Sequence, residues 1–319
     1  MNPNESRIEI FAPFGEAFEL TKKILFQPFD LTKWLVIGFA AWLATMFSGG
    51  SFNFRRGFSK QDWNWKSHYS GPGFSMHDAP PWVIPVIIGG SLLILALIVV
   101  CLWLNSRGRF MFTDCIVRNR GAIVEPWREY RSEGNRYFIF QLVIAFCSLI
   151  IFGGLALIFV LGWHWNNPLL PLPLVILLAV AFFLVALVVG LIMKFVVPVM
   201  YRQRCAAMEA FRAVWRLIIA NPVAFLLFGL FYIVLYIAAA MIGCLAACVT
   251  CCLAALPYIG TVILLPIVMF LFTYPLCFIR QFGDPYDVWA GVRPIETPLI
   301  EPAPAVPPVP PVQEPPPSV

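Results

Sequence analysis

Six long apolar runs punctuate the chain, at about 32–49, 82–104, 137–162, 172–199, 222–243 and 256–279. A helix needs roughly 20 apolar residues to cross a hydrocarbon core about 30 Å thick. The runs are continuous rather than alternating, which disfavours barrel strands. Backbone in lipid must satisfy its own hydrogen bonds, which leaves helices. The first run is short. The fifth and sixth are joined by a still-apolar link, Cys244 to Ala255, so their boundary is open. The expected fold class is an all-α polytopic membrane helix bundle with about six transmembrane helices.

The polar segments between the runs repeat. Residues 16–28 read EAFELTKKILFQP and residues 209–222 read EAFRAVWRLIIANP. In the first, Phe14, Ala17, Phe18, Thr21, Ile24 and Leu25 recur at helical spacing. In the second, Ala210, Phe211, Val214, Trp215 and Ile218 do the same. Glu16, Glu19, Lys22 and Lys23, and then Glu209, Arg212 and Arg216, take the other face. This pattern fits amphipathic helices lying on a membrane surface. A weaker third copy is Glu125-Pro126-Trp127-Arg128-Glu129-Tyr130, with Pro at a favoured first helical position. Each copy precedes two runs, so the chain reads as three units of amphipathic helix plus membrane hairpin.

The basic residues orient those units. Counting the amino terminus as inside, 18 of the 22 Lys and Arg fall on inner segments and four on outer ones. Such a bias places the inner segments in the cytoplasm. Six spans then put both termini there, in a bacterial inner membrane. Lys22, Lys23 and Lys33 ahead of the first run resemble the start of a signal peptide. The run begins late, however, and no small-x-small site follows it, so an uncleaved first span is expected.

Composition agrees. Hydrophobic residues make up 60% of the 319 and charged ones only 12%, about half the share in a soluble domain. A disordered chain, a disulfide miniprotein and a typical cytosolic enzyme are excluded. The net charge of +5 follows from the loop bias, which makes nucleic acid a poor partner and membrane lipids a good one. From Pro294 onward 11 of 26 residues are Pro, giving an extended polyproline-type tail. That tail is a spacer or, through segments such as Pro304-Ala305-Val306-Pro307, a ligand for a proline-binding protein partner. Three regions result: an N-terminal amphipathic segment (1–31), a six-span domain (32–290) and a disordered Pro-rich tail (291–319).

Candidate chemistry is sparse. Ionisable residues in spans are functional candidates, but only Lys194 lies in one, near its inner end, where it can snorkel. Cys244, Cys248, Cys251 and Cys252 include a CxxC. No His or basic neighbour is present to activate them, so small packing residues or a structural disulfide are the readings. The loop 50–81 mixes Phe52, Trp63, Trp65 and Tyr69 with Arg55, Arg56, Lys60 and Lys66, as suits the headgroup zone. His68, His77 and Asp78 in that loop are weak metal candidates, and His164 reads as an interfacial residue. No GxGxxG, P-loop, HExxH or GxSxG motif stands in a suitable context. No cofactor, metal site or catalytic residue is therefore assigned. The inner loop 105–136 is the most charged segment. Its Arg107, Arg109, Arg118, Arg120, Arg128 and Arg131 are the candidate contacts for anionic lipid headgroups, with three more cations than acids overall.

Gly-Arg-Phe-x-Phe-x-Asp at 108–114, Trp127-Arg128-Glu129-Tyr130, Phe195 to Arg202 and Leu256 to Thr261 together resemble an uncharacterised bacterial family of six-helix membrane proteins, over about residues 8–290. More distantly, the repeated helix-plus-hairpin is similar to the membrane domain of some glycerophosphodiester phosphodiesterases. Their catalytic barrel has no counterpart here, so the resemblance implies an architecture and no activity. The expected function is a non-enzymatic membrane protein that interacts with envelope lipids or partner proteins. The alternative is a transporter or flippase-like conduit for a lipid or amphiphile.

Overall fold

The structure, a computed structural model, describes residues 9–46, 83–164, 171–250 and 256–290. Among these there are ten α-helices and no strand. In chain order they are α1 (Phe11–Phe26), α2 (Leu31–Thr45), α3 (Val83–Val117), α4 (Val124–Glu129), α5 (Arg131–His164), α6 (Pro171–Gln203), α7 (Ala207–Ala220), α8 (Pro222–Val249), α9 (Pro257–Ile263) and α10 (Leu265–Arg280). A 3₁₀ turn, Asp284–Tyr286, follows.

Helices α3, α5, α6 and α8 are long and apolar enough to cross a membrane. The first and last runs differ from expectation. Helix α2 has only 15 residues, about 22 Å at 1.5 Å per residue. Asp30 caps its start by accepting from the Thr32 N–H at 2.8 Å. Its end is closed from outside: the Asn105 side-chain amide donates to the Leu43 and Ala44 carbonyls, both at 2.9 Å. A buried amide on α3 thus caps the last turn of α2, where a helix leaves carbonyls to be satisfied from outside. The sixth run, read as one helix over 256–279, is two. It breaks at Leu264, beside Pro266 at the start of α10, and α9 turns aside to pack on α2. Proline fits a first helical turn and not a helix interior, so the break falls there.

The observed order sets one short helix before each group of later ones, but not always before a pair of spans: α1 precedes α2 and α3, α4 precedes α5 and α6, and α7 precedes three helices, α8, α9 and α10. Tertiary contacts add a rule. Each short helix packs against the last helix of the preceding unit, cyclically: α4 on α3, α7 on α6 and α1 on α10. Those three receiving helices also end alike. The three residues with positive φ among those described are Asn119 (50°), Arg204 (52°) and Gly283 (108°), each just past the end of α3, α6 or α10. A left-handed residue there turns the chain sharply out of the helix. Asp284-Pro285-Tyr286 after the third repeats the acid–Pro–aromatic pattern of Glu125-Pro126-Trp127 after the first.

The molecule divides into a base and arms. The base is formed by the short helices and the adjoining ends of the long ones, which overrun the apolar runs: α3 continues to Val117 and α6 to Gln203. Its core holds Phe110, Phe112, Tyr137, Phe195, Phe225, Phe228, Tyr274 and Phe278, all fully buried. Close approach is enforced at Gly108, where a Cβ would lie 2.5 Å from the Leu43 Cβ and 2.8 Å from the Leu43 carbonyl carbon. The arms are the far halves of α3, α5 and α6. The most apolar stretch of α3 and of α5 has no buried residue, and Leu93, Phe146 and Phe183 are each more than 60% exposed. Residues 1–8 of the N-terminal segment, the loop 50–81, Cys251, Cys252 and the tail 291–319 lie outside the described residues.

Candidate functional site

Asp114 sits one helical turn before the end of α3 and is fully buried. An ionised carboxylate there must be compensated. Arg118, four residues on, reaches it at 3.1 Å, Arg120 at 3.1 Å and the Tyr201 hydroxyl, from α6, at 2.9 Å. The left-handed turn at Asn119 brings Arg118 and Arg120 back to the same acid. Arg118 also pairs with Glu129 at 2.8 Å, and Arg120 pairs with Glu125. Arg204, at the left-handed end of α6, bridges Glu129 and Glu133 and lies 4.1 Å over the Tyr130 ring. Tyr130 in turn stacks on Tyr201 at 4.8 Å. One network thus ties α3, α4, α5 and α6 together. Burial pushes the Glu129 carboxyl up, but the hydrogen bonds from Arg118 and Arg204 outweigh it and hold the group below the usual carboxylate range.

The same logic recurs on the opposite side of the base. Glu16 of α1 pairs with Arg280 at the end of α10, which also holds Asp287 at 3.2 Å. The opening acid of a short helix therefore binds an arginine at the end of the preceding unit in two of three cases. In the third, Glu209 reaches back to the start of its own helix and accepts from the Ala206 N–H at 3.1 Å.

The six arginines expected at headgroups occupy two environments. Arg107 is buried. Its guanidinium lies 4.5 Å from the Trp103 ring centroid and 4.8 Å from that of Trp127, and it donates to the Asn135 side-chain Oδ1 at 3.1 Å. Arg109 donates to the Tyr137 hydroxyl at 3.1 Å. Arg118 and Arg120 are held by carboxylates as above. Arg128 and Arg131 are exposed, as is Arg136, and none of these three forms an ion pair among the described residues. Arg128, Arg131 and Arg136 are thus the cations of this segment that stand exposed at the surface.

Arg109 also faces a small cavity between α3, α6, α8 and α10. Thr113, Met193, Lys194, Pro198, Tyr232 and Pro275 share its lining, which includes no acidic residue. Lys194 does not snorkel to a surface carboxylate. It donates to the Tyr232 hydroxyl at 3.3 Å and lies 5.1 Å from that ring's centroid. The cavity holds about 30 Å³, room for water and no more. Sequence reasoning missed both this cavity and the Asp114 network. The i,i+4 spacing of Asp114 and Arg118 was the available signal for the latter. Tyr201 and Arg204, more than 80 residues away, left none.

Among the described residues, no group of three His, Cys, Asp or Glu side chains could hold a metal. Cys244 and Cys248 are free, exposed thiols. The candidates His68, His77 and Asp78 and the partner cysteines Cys251 and Cys252 fall outside the described residues, as does the side chain of His164.

Residues 9–288 match the model of a family of unknown function, DUF7544, and the chain belongs to that family. No curated protein and no solved structure matches it, so the likeness to the glycerophosphodiester phosphodiesterase membrane domain gains no support.

Proposed function

We propose that this member of a family of unknown function is a multi-pass inner-membrane protein with both termini in the cytoplasm, and that it binds envelope lipids without converting them. The observation that carries the reading is the division of one surface into two. The arms of α3, α5 and α6 are apolar on every side, a composition only lipid or a partner can cover. The base beside them carries the charged residues: Arg118 and Arg120 are paired with carboxylates, while Arg128, Arg131 and Arg136 remain outside. Cations at a cytoplasmic membrane surface attract anionic headgroups by about 1 kcal/mol each. Helices α2 and α9–α10 supply the remaining two spans of the six; α2 reaches across by local thinning of the bilayer.

The conduit reading rests on the cavity around Arg109 and Lys194. At about 30 Å³ it admits water and excludes a headgroup, so lipid binding is the better supported of the two. The test is native mass spectrometry of the protein released from its own membrane. Anionic lipid should be retained by the native chain and reduced in Arg128→Gln/Arg131→Gln/Arg136→Gln. A chain that retains no lipid, or retains neutral and anionic lipid alike, overturns the reading.

A further inference from the structure

One concavity is large enough for part of an amphiphile. It lies between α1, α8 and α10 and has a volume of about 360 Å³. Its origin is topological. The aromatic contacts between α8 and α10 extend as far as Phe231 and Tyr274. Beyond them α10 is near its beginning, and the chain before it has turned away as α9 to pack on α2. One face of the upper part of α8 is open there: Leu245 and Val249 are 66% and 82% exposed, while Ala239, Gly243 and Ala247 on its other face are buried. Leu235, Ala238, Ala239 and Ile242 line one wall, and Pro266, Ile267, Phe270 and Leu271 the other. The small side chains of Ala238 and Ala239 give the groove its depth.

Helix α1 closes the lower end. Both of its ends are tied to the base, through Glu16 to Arg280 and through the Ile24 carbonyl, which accepts from Lys33 at 3.1 Å. Phe14, Phe18 and Phe26 face the groove, which explains why Phe18 and Phe26 are half exposed although they sit beside the buried stripe Ala17, Thr21, Ile24 and Leu25. Two polar side chains reach this floor: Thr21, whose hydroxyl donates to the Ala17 carbonyl at 2.7 Å, and Lys22. Lys22 is exposed and forms no ion pair among the described residues. The groove is thus apolar along its length with one cation at its mouth.

We propose that this groove is a binding site for one anionic membrane lipid. An acyl chain lies between α8 and α10, and the headgroup phosphate sits against the Lys22 ammonium. Charge complementarity selects the headgroup, and the depth at Ala238 selects a chain. The proposal rests on the lipid-binding reading above and names a site for it distinct from the exposed arginines on α4 and α5.

The experiment uses the full chain in bilayer discs of phosphatidylglycerol mixed with phosphatidylcholine, with retained lipid read by native mass spectrometry. Loss of one interfacial cation should lower the phosphatidylglycerol preference about fivefold, the equivalent of about 1 kcal/mol. Lys22→Gln should show that loss, Lys22→Arg should restore the preference, and Lys23→Gln, which does not line the groove, should leave it unchanged. Ala238→Phe, which fills the groove, should abolish the retained lipid while the thermal midpoint stays near the native value. Soluble glycerol phosphate should not compete, because it lacks the chain. Unchanged phosphatidylglycerol retention in both Lys22→Gln and Ala238→Phe, with loss in Arg128→Gln/Arg131→Gln/Arg136→Gln, overturns the groove and leaves the broader reading standing. Loss of selectivity in the native chain overturns both. A second copy of the chain retained in place of lipid, and released by Ala238→Phe, overturns the lipid as occupant.

Discussion

Helix α3 is two helices in physical terms, though its backbone is unbroken. From Ile84 to Val100 twelve of the 17 residues are Leu, Ile or Val, and most of these are more than 50% exposed. From Asn105 to Val117 the sequence carries Asn, Ser, Arg, Thr and Asp, and nearly all of these residues are buried. Apolar residues outside and polar residues inside is the reverse of a soluble helix. The first half is apolar enough to need no protein neighbour in lipid, whose tails are as apolar as its own side chains. The second half needs partners for its polar groups because a buried unpaired group is costly. Asn105 closes α2, Ser106 bonds the Gly134 carbonyl at 3.1 Å, Arg107 finds Asn135 and two tryptophans, and Asp114 finds Tyr201. Tertiary contacts are therefore concentrated in the base, and the arms have the length and composition that suit a membrane.

The comparison can be broken most severely at Asp114. Asp114→Ala leaves Arg118 and Arg120 facing a hole and Tyr201 without its acceptor, at an expected cost of about 3 kcal/mol. Thermal unfolding in detergent checks it; a shift no larger than that of an exposed site denies the network its role. Next is a matched pair of glycines on α3. Gly108→Ala should cost about 1 to 3 kcal/mol, since Leu43 backbone blocks the new methyl. Gly90→Ala, with nothing within 4 Å, should be neutral or stabilising by about 0.5 kcal/mol. Equal effects would erase the distinction between arm and base.

A third test concerns the tryptophan pair. Trp127→Leu keeps an apolar body but removes one face of the Arg107 sandwich, for an expected loss of about 1 kcal/mol; Leu93→Ala on the lipid face should stay within about 0.5 kcal/mol. The smallest effect is a dependence on pH. Glu129 has a folded-state pKa below its unfolded value, so its contribution is complete above the ordinary carboxylate pKa of about 4.3. It is lost as pH falls through the lower, folded-state value. Thermal midpoints measured between neutral pH and pH 3 should fall less in Glu129→Gln than in the native chain, after the midpoints are aligned at neutral pH.

Much of this was legible in advance. The apolar runs placed α3, α5, α6 and α8 to within a few residues at their apolar ends, because twenty continuous apolar residues have one stable conformation in lipid. The repeats placed α1, α4 and α7. The polar ends of the helices were not legible. Residues 105–117 read as a loop because they are charged, yet they are helical and buried: the partners that satisfy them come from α2, α5 and α6. The six arginines looked equivalent for the same reason. Charge is a local property, while exposure depends on which acid or ring lies opposite, so Arg120 and Arg128 differ although eight residues apart.

The sequence by itself determined the helical class of the described residues and the places of the long apolar runs, read as six spans where four helices prove long enough, with amphipathic helices between them. These follow from composition and from periods of a few residues, which each segment carries alone. Only the tertiary structure decided that each short helix packs back on the preceding unit, that Asp114 gathers Arg118, Arg120 and Tyr201, and that α9 turns aside to open a groove beside Lys22. Those are relations between residues up to about 250 positions apart. They arise because buried polar groups must find partners and because a proline break at Leu264 redirects the chain, and no local pattern states where the partner will be.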